Sequence, residues 1–152
     1  MAIVKSKLLK QLSTNYPNFL KRDLEKFTNV NGKTGIYVQY SQVRAKKLLE
    51  NIATKHSELN DLILNDVDKE LLSKLYLFTY FLEQSAVLNE PHHLANYLYE
   101  ISNLFNQFYE SEKISEIEDS DQLSSKMYIT NLFLTTSQNV MWCLGITPVN
   151  QM

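Results

Sequence analysis

The 152 residues carry a formal net charge of -2, with 21% charged and 44% apolar side chains, three glycines, three prolines and one cysteine. That balance excludes a disordered or collagen-like chain, no apolar run reaches the roughly 20 residues a bilayer span needs, and Cys143 alone cannot close an internal disulfide. A chain of this length can bury one real core, on the order of 70% of the surface its unfolded form exposes.

The small net charge hides a division. Residues 1–55 hold eleven Lys/Arg and three Asp/Glu, and the remainder holds four and fourteen. A basic end of this kind attracts phosphate, although two halves of opposite sign also neutralise one another across a packed bundle. The lone cysteine and the absence of a secretory apolar segment favour the cytoplasm. Met1 to Arg22, with five cations and no acid, has the composition of a mitochondrial presequence as well as that of a basic surface helix.

In chain order, Ile3 to Leu12 reads as a short basic amphipathic segment, broken at NYPNF (15–19) because proline cannot extend a helix. NVNGKTG (29–35) is the main turn, with an Asn-Gly pair that tolerates positive φ. A long helix is predicted from Tyr37 to Lys55, with Val38, Val43, Leu48, Leu49 and Ile52 apolar. A second runs from Asp66 to Leu88, where Leu71, Leu72, Leu75, Phe78, Phe81 and Leu82 form a broad face.

The third helix begins near Glu90, with Asn89 as its expected N-cap and Pro91 in the first turn. Winding EPHHLANYLYEISNLFNQFY (90–109) at 100° per residue puts Leu94, Tyr97, Leu98, Ile101, Leu104, Phe105 and Phe108 on one core-facing stripe. The opposite stripe carries His92, Asn96, Tyr99, Asn103 and Asn106, uncharged groups suited either to exposed base edges or to burial against a neighbouring helix. The acidic run 110–121 reads as a solvated loop. Asp119 and Gln122 stand at capping-box spacing before a last helix from Asp121 to Leu144, closed by Gly145 with Pro148 just beyond. No strand pair and no repeat appears, so the expected fold is an all-α bundle: a basic N-terminal segment and junction over 1–36, then a helical domain over 37–152.

Enzyme chemistry finds little footing. A lone thiol beside Trp142 and Leu144 is a small hydrophobe. His56, His92 and His93 show no metal spacing, since adjacent helical residues diverge by about 100° and no carboxylate or cysteine completes a set. Three glycines cannot build a phosphate-cradling loop, and the acids at 116, 118, 119 and 121 lie where nothing separates their pKa values. No cofactor, metal or catalytic residue is expected. Tyr37, Tyr40, Arg44, Lys46 and Lys47 combine aromatics with cations at the start of one helix, which suits stacking on bases and neutralising phosphates. Half-buried tyrosines beside solvated lysines give the same pattern, and an amphipathic helix in a protein groove remains a competing use.

Three stretches carry a family resemblance. Residues 90–109 resemble the segment E-P-H-R-L-A-x-Y-L-Y-E-L-x-x-x-F-x-x-F-Y of the DALR anticodon-binding domain of arginyl-tRNA synthetases. EKFTNVNGKTGIYVQYSQVRAKKLL (25–49) is similar to the family's G-x-T-x-x-Y-x-Q-Y-x-x-x-R passage leaving the catalytic domain, and LGITPVNQM (144–152) to its L-G-I-x-x-P-x-x-M ending. The resemblance implies an all-α anticodon-binding bundle whose partner is tRNA, tRNA for arginine first. Only 24 residues precede Glu25 and no H-I-G-H-like or K-M-S-K-like signature stands upstream, so it implies tRNA binding without aminoacylation. SSKMY (124–128) is only superficially like the second signature, because it follows the anticodon-binding segment.

Carried over onto matched positions, the resemblance makes Tyr109 and Met152 candidate contacts to anticodon bases, with Tyr37, Gln39, Tyr40 and Arg44 supporting the stem. Lys47, His92, Tyr99, Asn103 and Asn106 complete the candidate nucleic-acid surface. Two departures favour a competing reading, a protein-interaction subunit that kept the fold and lost the RNA. His93 stands where the family pattern has Arg, and the best-matched helix lies in the acidic half. Such a subunit would contact a separate catalytic or RNA-modifying protein.

Overall fold

The computed structural model describes residues 35–52 and 61–149. It is all-α, with α1 at Gly35–Ile52, α2 at Asp66–Tyr76, α3 at Phe78–Leu88, α4 at His92–Ser111, a 3-10 turn at Ile114–Glu116, and α5 at Ser120–Cys143. No strand occurs among the described residues, and no helix there is long and apolar enough to cross a membrane. The bundle belongs to the unit Val38–Met152. The expected segment Ile3 to Leu12, the break at 15–19, nearly all of the 29–35 turn, His56 and Met152 lie outside the described residues.

Helix α4 is the hub, packed by α2, α3 and α5, while α2 also meets α5. Its expected core stripe is buried at Leu94, Tyr97, Leu98, Ile101, Phe105 and Phe108, with Leu104 only partly covered. Phe105 stacks on Phe133 of α5 at 4.1 Å with the rings nearly parallel, an arrangement that fuses two apolar stripes into one core. On α1, Val38, Val43, Leu48 and Ile52 are buried as the period requires.

The helix ends follow local chemistry. Asn65 and Asp68 form a reciprocal capping box at the start of α2, which satisfies two otherwise orphaned N–H groups. Asp119 caps α5, accepting the Gln122 N–H at 2.8 Å. The Gln122 side chain does not return to the cap and instead donates to Glu112 at 3.0 Å. Gly145, at φ 68°, closes α5 with the Gly145 N–H on the Trp142 carbonyl and the Ile146 N–H on that of Met141, the double bond of a Schellman end.

Three expectations are corrected. The helix predicted across 66–88 is two helices, interrupted at Leu77, where no Gly or Pro stands. There the buried Tyr97 hydroxyl of α4 shares its proton between the carbonyls of Leu75 at 3.1 Å and Lys74 at 3.2 Å, while the Leu77 N–H donates to the Lys74 carbonyl at 3.2 Å. Asn89 is not the N-cap of α4. It ends α3 in left-handed geometry at φ 55°, a conformation asparagine tolerates, and Pro91 takes the cap position of α4.

The acidic run is not simply a solvated loop. Glu110 and Ser111 finish α4, Ile114 is buried, and Glu112 pairs at 3.0 Å with a wholly buried Lys126. Lys126 is enclosed because α5 is packed on several sides, and its ammonium is answered by Asp68 of α2 as well.

Candidate nucleic-acid interface

Positions i, i+4 and i+7 share one helical face, so α1 presents Tyr40, Arg44 and Lys47 together. Tyr40 and Lys47 are exposed and Arg44 half-buried. The Arg44 guanidinium lies 4.6 Å from the Tyr40 ring centroid and 4.9 Å from that of Tyr109, at the end of α4. Two aromatic rings thus hold one cation at the seam between the helices, a favourable electrostatic contact for each ring.

The same guanidinium donates to Glu110 at 2.9 Å and to Asn106 at 3.4 Å. Asn106 is itself buried and donates to Ser41 of α1 at 2.9 Å, so it acts on this face from behind, orienting the arginine. Burial would lower the Arg44 pKa, but its hydrogen bonds to Glu110 and Tyr40 and their charges outweigh that and hold it above the ordinary arginine value. The cation is permanent.

Gln39, one step back on α1, clamps the chain end. Its amide nitrogen donates to the Thr147 carbonyl at 3.0 Å and its amide oxygen accepts the Val149 N–H at 2.9 Å. Both halves of the side-chain amide are used, as in a strand pairing. The clamp holds Thr147 and Val149 against α1.

The structure therefore brings together Gln39, Tyr40, Arg44, Lys47, Asn106 and Tyr109. Tyr37, half-buried, lies one turn earlier on α1. The remaining candidates lie elsewhere. Tyr99 and Asn103 line an open groove of about 520 Å³ between α2 and α4, with Glu70, Lys74 and Glu100. His92, exposed, sits at the far end of α4, roughly 25 Å from Tyr109 at 1.5 Å per residue.

Expectation and structure also differ at the histidines. A carboxylate does join them: Glu90 Oε2 is 2.9 Å from His93 Nε2 and 3.8 Å from His92 Nε2. The Glu90–His93 contact has the ordinary i,i+3 helical spacing, whereas the approach of the same carboxylate to His92, two residues on, comes from the corner at Asn89 and Pro91.

Glu110 and Ser41 were not among the candidates. Glu110 belonged to an apparent solvated run, and Ser41 shows no signal beyond its position one turn from Arg44. The four cations after residue 55, Lys69, Lys74, Lys113 and Lys126, are all paired with carboxylates, and among the described residues the other cations, Arg44, Lys46 and Lys47, all lie on α1.

The comparisons agree with this architecture. A family model described as the DALR anticodon binding domain matches residues 38–152. The arginine-tRNA ligase of Alkaliphilus oremlandii is 32% identical over 133 residues, covering 86% of this chain and 23% of that protein. That of Francisella tularensis subsp. novicida is 33% identical over 116 residues, covering 71% and 20%. Among solved structures, Thermus thermophilus arginyl-tRNA synthetase shares the fold, with a TM-score of 0.71 at 21% identity over 82% of this chain and 22% of that one. The chain spans about one fifth of the length of the curated relatives it matches.

Proposed function

Because the chain belongs to the DALR anticodon binding domain family, we propose that these residues bind the anticodon arm of a tRNA, tRNA for arginine before others, with ligation chemistry lying outside them. The observation that carries this reading is the Arg44 cation held between the Tyr40 and Tyr109 rings on an otherwise acidic unit. Aromatic faces stack on unpaired bases and the guanidinium neutralises a phosphate or stacks in turn. Lys47 extends the cationic edge, Tyr37 stands one turn earlier on the same helix, and the Gln39 clamp holds Thr147 and Val149, with Met152 a further candidate contact. Asn106 positions Arg44. Tyr99, Asn103 and His92 stand away from this face and serve a ligand only if it follows α4.

Purified protein binds tRNA for arginine more tightly than unrelated tRNAs, and the affinity falls as salt rises with a slope set by the few phosphates neutralised. Equal or undetectable binding to all tRNAs at low salt overturns the reading. The pairing of all four cations after residue 55 favours the second reading, a subunit docking on a catalytic or RNA-modifying protein, which that negative result would support.

A further inference from the structure

We propose that Glu90, His92 and His93 form a binding site for a divalent transition-metal ion of the zinc type. Glu90 Oε2 stands 2.9 Å from His93 Nε2 and 3.8 Å from His92 Nε2, and the two imidazole centroids are 4.1 Å apart. One ligand atom from each residue lies within 4.8 Å of the others. Ligands about 2.0–2.2 Å from a tetrahedral ion are separated from one another by roughly 3.3–3.6 Å. The observed spacings bracket that range.

Small side-chain rotations close the remaining difference. The three side chains are 51%, 60% and 34% exposed, so they are free to rotate, and water completes the coordination. Adjacent histidines on a helix normally diverge. Here they begin α4 directly after Pro91, and the left-handed Asn89 turns the chain so that the Glu90 carboxylate reaches both rings.

Two imidazoles and one carboxylate select zinc, copper or nickel over magnesium or calcium, which take oxygen ligands. The positive end of α4 opposes a cation, and the Glu90 charge offsets that opposition. His93 stands where the resembled pattern E-P-H-R has arginine, and arginine cannot ligate. A bound ion would tie the α3–α4 corner to the first turn of α4.

The test titrates the full chain, stripped with a chelator, with zinc alone by calorimetry and with cobalt by visible absorption. One equivalent binds, Tm rises, and His92→Gln, His93→Gln and His93→Arg each weaken binding by at least about tenfold with unchanged circular dichroism. Glu90→Gln also weakens it. Absence of saturable uptake up to millimolar metal overturns the proposal. So does uptake that survives the combined His92→Gln/His93→Gln change, which would place the ion elsewhere, as on Cys143 or His56.

Discussion

The Lys126 ammonium lies 2.8 and 2.9 Å from the two carboxylate oxygens of Asp68, with both side chains 1% exposed. Glu112 approaches the same nitrogen at 3.0 Å, and the Phe108 ring lies beneath it at 5.3 Å. Asp68 is also half of the α2 capping box, so one carboxylate joins the start of α2 to the second turn of α5. Lys126→Met leaves two acids without their cation and costs about 3–5 kcal/mol. In urea titrations the combined Lys126→Met/Asp68→Asn protein loses less than the sum of the single changes, by roughly 0.5–3 kcal/mol. Strict additivity would show that the pair is not coupled.

On the proposed RNA surface Glu110 would compete for Arg44, because its carboxylate already holds the guanidinium at 2.9 Å while 65% exposed. Glu110→Gln keeps the shape and removes the charge, and tRNA affinity rises by up to about fivefold, the equivalent of ~1 kcal/mol for an exposed pair. Arg44→Lys keeps the charge but loses the planar stack, and affinity falls by about tenfold with a nearly unchanged salt slope. If both variants bind as the parent does, the RNA surface lies elsewhere.

Gln39→Ala removes both hydrogen bonds that hold Thr147 and Val149, each worth about 1 kcal/mol. Hydrogen exchange at Val149 accelerates while the protection of α4 is unchanged. If Met152 touches the anticodon, tRNA affinity drops in the same variant with helix content intact.

Tyr97 packs against Phe78 and Phe81, and burial pushes its phenol pKa well above the ordinary value. A raised folded-state pKa means the folded chain holds its proton after the unfolded chain has released it. The contribution is therefore complete below pH about 10 and is lost as pH rises beyond that. Thermal unfolding followed across this range shows a steep alkaline loss of stability in the parent and a shallower one in Tyr97→Phe. At neutral pH the same variant is about 1 kcal/mol less stable, having lost the bonds to Leu75 and Lys74.

Much of this was readable along the chain. The α4 core stripe, the capping role of Asp119 and the closing role of Gly145 follow from helical period and backbone preference, which are properties of neighbouring residues, and the match at 90–109 located the family. What tertiary structure decided concerns partners rather than periods. Period shows that Asn106 shares a stripe with Asn103, but only the docking of α1 turns Asn106 inward onto Ser41 and leaves Asn103 in a groove. Leu77 carries no breaker, and the interruption there coincides with a hydroxyl from α4 on the carbonyls of α2. Lys126 is enclosed only where α2 and Glu112 meet α5, and Arg44 gains its two rings and its carboxylate only when the end of α4 meets α1. A sequence states which face of a helix avoids water, whereas the group that will stand opposite a buried polar atom depends on how the helices pack.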